Sequence, residues 1–485
     1  MLDTMTSISG TFNSKLIDSL KSGKRFRIVG DNINFKMGVL QERKSVGKVG
    51  HIQHWFGSAA IVQNVNFQAM DNDIPQCDLR LLPTETLIIC EEELQEISNK
   101  FSVLSSRVLV EFFPWLKPST ACVNEAIAVV PQDLKKKNTI IPFPIMHKNE
   151  QKYADVVDIL DSYQQTCETV HLESGQVLEP VHVVGDQLTR ERFSGEKRLR
   201  AAALTEKERL KALNPITFEL FHLQMAVLTM FYQILYDETH TDIFTLHSQK
   251  VRLLRKEANG LDVKNHFDSC KELAISVIKA FLVQATLEHY NLQNTNSYLE
   301  NIPNFEQMQD DEKKEWMISF ITPIVNEIMS VSQKVVNGTF VEEANPDMVN
   351  KYSMVLVELG LVFLELCDIV KSPNRERLIT CLKYLMLILK GHNSKSKYAL
   401  EILRFLCQQY ALLSKKQSHA AVYGLFVNTG KTIIPADLQM EHLVRITKTH
   451  IRAMCSNVTD QSLIKRSSAF FGINEISEAF EKSHQ

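Results

Sequence analysis

Between about residue 195 and residue 415 the chain carries one amphipathic segment after another, and strand-like segments lie on both sides of that block. FELFHLQMAVLTMFYQILY (218–236), CKELAISVIKAFLVQATLEHY (270–290), EWMISFITPIVNEIMSVSQKV (315–335), MVLVELGLVFLELCDIV (354–370), RLITCLKYLMLILK (377–390) and YALEILRFLCQQYALLSK (398–415) each repeat apolar residues every three to four positions. That is the period of helices with one buried face. No fixed repeat length relates them, which argues against a solenoid. Pro323 inside the third segment predicts a kink or a break there. Strands before and after a helical block of this size fit two or three ordinary domains or one mixed α/β domain carrying a large all-helical insertion.

The flanks supply the core. KRFRIVGDN (24–32) is an apolar run ending in a turn signal, HIQHWFGSAAIVQNVNF (51–67) alternates well enough for one or two strands, and EPVHVVGDQLT (179–189) returns to strand and turn. Between them, YADVVDILDSYQQTC (153–167) has helical spacing. After the block, AAVYGLFVNT reads as a short strand, and GKTIIPADLQMEHLVRITKTHIRAMC as a Pro–Ala–Asp start leading into a helix. These readings divide the chain into an extension (1–23), a first core part (24–194), the helical insertion (195–415), a last strand and helix (416–467) and a polar tail (468–485).

With 485 residues, 44% hydrophobic and 23% charged, the chain can bury a sizeable core. The net charge of −3, from 54 basic and 57 acidic residues, neither favours nor excludes DNA as a partner, because a local basic face can exist on a neutral protein. Nine cysteines with no CxxC pair argue against a disulfide framework and against zinc. No apolar leader opens the chain, and Glu358, Glu365 and Asp368 interrupt its most apolar stretch. The expectation is an intracellular protein, in nucleus or cytoplasm, neither secreted nor membrane-bound, with a protein partner or a second copy left open.

Two segments share one design. The run Phe26–Val29 ends in Gly30–Asp31–Asn32, and Val181–Val184 ends in Gly185–Asp186–Gln187. In each, the glycine permits a close turn and the aspartate projects from a rigid strand end. On neighbouring strands the two carboxylates would repel unless a divalent cation neutralised them, and an oxygen-only site favours Mg²⁺ or Mn²⁺. Gly–Asp followed by an amide is also ordinary turn chemistry. A third acid is offered by the late helix, where Asp437 and Glu441 share one face and Arg445, Lys448 and Arg452 continue the stripe. Glu441 is preferred as the metal ligand, because Asp437 is well placed as an N-cap; an ordinary solvated face is the plainer use of such residues.

The order strand–Asp31, further strands, helix, strand–Asp186, helical block, strand and helix with Glu441 resembles the ribonuclease H-like catalytic domain of DDE transposases. In that fold the first two acids sit on adjacent strands and the third on a late helix. At the level of motifs the chain is similar to the domain-of-unknown-function family 6589. The matching stretches are GDNIN (30–34), HWF (54–56), VVGDQLTRER (183–192), FHLQM (221–225), HNSKSKY (392–398) and FVNTGKTIIPADLQMEHLVRITKTHIRAMCSNVT (426–459). The resemblance implies a transposase-derived, Mg²⁺- or Mn²⁺-dependent site in which Asp31, Asp186 and Glu441 act in cleavage or transfer of DNA strands. No C2H2 or helix-turn-helix signature accompanies the 23 residues before Lys24, so a truncated copy or a domesticated core is expected. The competing reading is a catalytically inactive scaffold that binds nucleic acid or protein through its helical block. A third is a purely helical interaction protein with no sheet.

Three further signals complete the reading. Arg190, Arg192, Lys197 and Arg198 follow Asp186 directly and are candidate phosphate contacts, although Glu191 and Glu196 interleave them as on a solvated face. His222 in FHLQM is a further candidate against the commoner use of such a histidine in a core or cap. GLFVNTGKT (424–432) has five residues between its glycines where a phosphate-binding loop needs four, and Ile–Ile–Pro follows instead of a helix, so it is not one.

Overall fold

Alternating apolar residues in two neighbouring strands give the central sheet two buried faces, and the acids take their places from that alternation. In this computed structural model the described residues are 12–37, 51–65, 69–124, 127, 129–240, 242–299, 302–336, 347–392, 396–454 and 467–468. The first elements are α1 (Phe12–Lys21), β1 (Arg25–Met37), β2 (His51–Gln63), α2 (Glu91–Phe112), α3 (Thr120–Asn124), β3 (Ile140–Pro142) and α4 (Tyr153–Ser174). Then come β4 (Val181–Val184), α5 (Gln187–Leu199), β5 (Leu213–Thr217), α6 (Leu220–Leu235), α7 (Leu246–Arg252), α8 (Phe267–His289) and α9 (Asp310–Val336). The chain continues through α10 (Met348–Lys371), α11 (Arg375–Gly391), α12 (Ser396–Cys407), α13 (Lys415–Tyr423), β6 (Phe426–Asn428), β7 (Ile433–Pro435) and α14 (Ala436–Met454). The fold is mixed α/β and mostly helical.

Two compact units share the chain: Met1–Leu82, Val130–His222 and Cys407–Gln485 form the first, Pro83–Val129 and Leu223–Leu406 the second. The first contains a five-stranded sheet in the order β3-β2-β1-β4-β5. β1 and β2 pair antiparallel from Arg25 opposite Gln63 to Met37 opposite His51. β2–β3 is also antiparallel, whereas β1–β4 and β4–β5 are parallel. On one face Phe26, Ile28, Val181 and Val183 pack with Leu16 and Leu20 of α1 and Val156, Ile159, Leu160 and Tyr163 of α4. On the other, Val29, Ile33, Phe35 and Val184 pack with Met440, Leu443 and Val444 of α14. Neighbouring residues point to opposite faces, so odd positions of β1 and even positions of β4 look towards α14.

Several sequence expectations are corrected. β1 does not end at Asn32, because the long partner β2 keeps pairing it to Met37. Gly30 is therefore not at a turn; a β-carbon there would lie 2.6 Å from the Phe56 ring and 3.0 Å from the Tyr163 hydroxyl, so close packing requires the glycine. β5 lies inside the stretch read as wholly helical. Residues 83–129, expected in the core, belong to the helical unit, where Leu94, Ile97, Phe101 and Val108 of α2 are buried and the helix packs on α8, α9 and α10. Of the kink or break expected at Pro323 the break is excluded, because α9 runs through it with Phe320, Ile321, Ile324 and Val325 buried around it. The expected late strand is shorter: Ala420–Tyr423 closes α13, and among the described residues β6 pairs with β7 alone, in a separate two-stranded sheet. The Asn138 carboxamide accepts from the Asn428 amide and ties β6 to the chain before β3. A purely helical protein is ruled out by the main sheet.

Candidate functional site

The register of β1 on β4 brings the first two acids together. Ile28 lies opposite Val183 and Val29 opposite Val184. Asp31 and Asp186 each stand two residues beyond that last pair, on the face of Val29 and Val184. Asp31 Oδ1 accepts from the Asn32 amide at 2.7 Å. Asp186 is the N-cap of α5, and its Oδ1 accepts from the Thr189 amide at 2.7 Å. Turn and cap chemistry thus operates at Asp186, in the same position that sets it beside Asp31. A β-carbon on Gly185 would lie 2.6 Å from the Thr189 methyl, so this turn also needs its glycine.

α14 lies over the same face. Gly57 is opposite Asp31 in β2, and a β-carbon there would be 3.2 Å from the methyl of Met440. The next residue, Glu441, is half-buried, and its Oε1 is 3.7 Å from His222 Nε2. His222 Nδ1 lies 2.9 Å from Asp437 Oδ2. Asp437 does not cap its own helix. Its Oδ1 accepts from the Phe221 amide at 3.0 Å and its Oδ2 from the His222 amide at 2.9 Å, so it closes the first turn of α6. With both oxygens engaged, Asp437 holds His222, whereas Glu441 is near enough to Asp31 for its charge to act there.

Charge accumulates here. Burial pushes the Asp31 carboxyl well above its ordinary value, and the charges of Glu441 and Asp186 add to the effect while His222 opposes it. For His222 burial works against the proton, but the hydrogen bond and charge of Asp437, with Asp31 and Asp186, outweigh it and raise the imidazole to about 10. It is an imidazolium at neutral pH.

Three charged residues of this region escaped the sequence reading. Glu150, fully buried, accepts from the Asn32 carboxamide on one oxygen and the Thr189 hydroxyl on the other. It thereby ties together the residues that follow both Gly–Asp pairs. Burial, reinforced by Asp186, raises its carboxyl to about 7. Arg27 and Glu219 form a fully buried pair at 3.1 Å. Burial raises the Glu219 carboxyl to about 8, against the pull of Arg27 and with a push from Asp437. A signal existed for this pair, since Arg27 and Glu219 interrupt apolar runs and a buried charge needs a partner. Glu150 lies in a loop and carried none.

The donors suit a hard divalent cation by type, since Asp31, Asp186 and Glu441 offer only carboxylate oxygens. Their mutual effect on Asp31 is the repulsion that such a cation would relieve. Among the described residues, however, no three His, Cys, Asp or Glu side chains already form a metal-ligating group. Loading the site would require the carboxylates to draw together.

The basic candidates divide by exposure. Arg190 is buried, the Arg192 guanidinium lies 4.7 Å over the Tyr153 ring, and the Lys197 ammonium donates to the Leu213 carbonyl, with burial lowering it to about 8. Only Arg198 of that group is exposed. The segment is a capped helix in which Arg190 and Glu196 turn inward and Arg198 stays on the surface. On α14, Arg445 is exposed and Lys448 half-buried, and the Arg452 side chain lies outside the described residues. Among the described residues no helix is long and apolar enough to cross a membrane.

A model of one family, described as Family of unknown function (DUF6589), matches residues 78–485, and the chain belongs to that family. The match includes Asp186, His222, Asp437 and Glu441 but begins after β1 and β2, so Asp31 lies outside it. No curated protein and no solved structure matches the chain.

Proposed function

We propose that this member of the family has a ribonuclease H-like, transposase-derived core that cleaves or transfers DNA strands in the presence of Mg²⁺ or Mn²⁺. The observation that carries the reading is the equal offset of Asp31 and Asp186 beyond the last β1–β4 pair, with Glu441 on the late helix close enough to raise Asp31. Asp31, Asp186 and Glu441 are the residues that would hold the metal. When bound, a divalent ion supplies activation of the attacking oxygen and charge stabilisation of the leaving one. The chain's own part is positioning. The Asn32 and Thr189 amides orient the two aspartates, and Glu150 fixes the side chains of those same two residues. His222, held by Asp437, sets a positive charge beside Glu441, where it balances the acids and can meet a phosphate oxygen. Arg198, Arg445 and Lys448 are the accessible cations for a DNA backbone.

The inactive-scaffold reading is favoured by one observation, the use of Asp186 as a helix cap. Calorimetry with Mn²⁺ separates the two. Binding by the wild type that is weakened at least tenfold in each of Asp31→Ala, Asp186→Ala and Glu441→Ala supports the metal-dependent function, and strand cleavage is then assayed with the same variants. Absence of Mn²⁺ binding by the wild type, or binding indifferent to all three substitutions, leaves the scaffold.

A further inference from the structure

The opposite ends of the same two strands carry a different feature. Where β1 and β4 begin, a cavity of about 290 Å³ is lined by Lys24, Arg25, His171, Val177, His182 and Lys416, among others. A smaller one of about 100 Å³ adjoins it and shares Lys24, Arg25 and Lys416. All of these residues belong to the sheet-containing unit.

Its charge is unbalanced in one direction. Arg25 is paired with Glu179. Lys24 and Lys416 make no side-chain hydrogen bond or ion pair with any described residue, although Lys416 is half-buried. The rim therefore carries two uncompensated positive charges. Below it lies a buried polar group without a full set of partners. His182 is 7% exposed, its Nε2 is 2.7 Å from Thr217 Oγ1, and its Nδ1 has no partner among the described residues. Buried ring nitrogens are normally satisfied, so the open Nδ1 of a residue that lines the cavity points to a missing partner atom. Burial and the nearby Arg27 hold the His182 imidazole well below its ordinary pKa, so it offers a neutral hydrogen-bonding group.

We propose that this cavity binds a phosphomonoester of pentose-phosphate or mononucleotide size, with the phosphate between Lys24, Arg25 and Lys416 and the sugar directed towards His182. A phosphomonoester carries about −1.5 to −2 charges at neutral pH, which matches two free lysines where a monocarboxylate would leave one unmatched. A cavity of this volume sits at the small end of metabolite pockets, which begin at about 300 Å³, and admits one compact molecule. The polar floor accounts for a hydroxylated body better than for an apolar one. This site is independent of the Asp31–Asp186–Glu441 reading and stands or falls separately.

The test is calorimetry on the full chain with ribose 5-phosphate, adenosine 5′-monophosphate, inorganic phosphate and ribose, repeated with Lys24→Ala/Lys416→Ala. Both substitutions remove rim side chains, and circular dichroism and the melting temperature verify that the fold is retained. The expected result is that one or both phosphomonoesters bind at least about tenfold more tightly than inorganic phosphate, that ribose does not bind, and that the double variant loses about tenfold or more, the scale of a lost charge-assisted contact. Preference for one phosphomonoester tells whether the body is a sugar or a nucleoside. No binding of either at millimolar concentration, equal binding of inorganic phosphate, or an unchanged Kd in the lysine variant overturns the proposal.

Discussion

Replacing Glu150 by Gln tests the electrostatics of the acid-rich face without touching a proposed metal ligand. Glutamine keeps the shape, and its carboxamide can accept from Asn32 with one atom and donate to the Thr189 hydroxyl with the other. What it removes is a buried charge beside Asp186. The folded-state carboxyl lies at about 7 instead of 4.5, so between those values the folded chain keeps a proton that the unfolded chain has released. Wild-type stability from this group is therefore fully present below pH 4.5, falls as pH rises towards 7, and stays low above it. At about 1.4 kcal/mol per pH unit, the penalty above pH 7 is about 3 kcal/mol, net of the carboxylate's own hydrogen bonds to Thr189 and Asn32. Glu150→Gln is expected to match the wild type at pH 4.5 and to exceed it by up to that amount at pH 8. Urea unfolding at pH 4.5, 6 and 8 measures this. Fluorescence of the buried Trp55 reports on the sheet unit once Trp115 and Trp316 are changed to Phe in both proteins. A stability difference that does not change with pH, or a variant less stable than wild type at pH 8, would refute the reasoning.

Two other substitutions probe the frame that holds the acids. Gly30→Ala forces a methyl to within 2.6 Å of the Phe56 ring and is expected to cost about 1–3 kcal/mol, read as a lower denaturation midpoint; an unchanged midpoint would mean that Phe56 and Tyr163 yield freely. Arg27→Met leaves Glu219 buried without its partner and should cost about 3–5 kcal/mol, whereas Arg27→Met with Glu219→Leu should recover most of that loss in the same unfolding assay; a double variant as unstable as the single one would show that the pair does more than neutralise itself.

How much of the site was legible follows from where its information resides. Asp31 and Asp186 were found because both follow an apolar run and a glycine, which is a local pattern. Their proximity depends on the Val29–Val184 register, which no local window contains, and the resemblance supplied it as an expectation. Glu441 and His222 meet because Asp437, on a helix more than two hundred residues later in the chain, closes the first turn of α6. A cap of that kind looks in sequence like an N-cap of its own helix, which is how Asp437 was read. The basic run after Asp186 divides for the opposite reason: its charge count suggests a surface, but helical periodicity turns Arg190 and Glu196 inward and leaves Arg198 exposed. Glu150 was invisible because loop residues have no periodic face to betray burial. The residues that the sequence singles out therefore repeat a local design, and those it does not are long-range partnerships of charge. The same division explains why Asp186 can serve as an N-cap and still stand in the candidate site: one oxygen satisfies the local rule, which the sequence displays, and the placement beside Asp31 satisfies the non-local one, which only the sheet supplies.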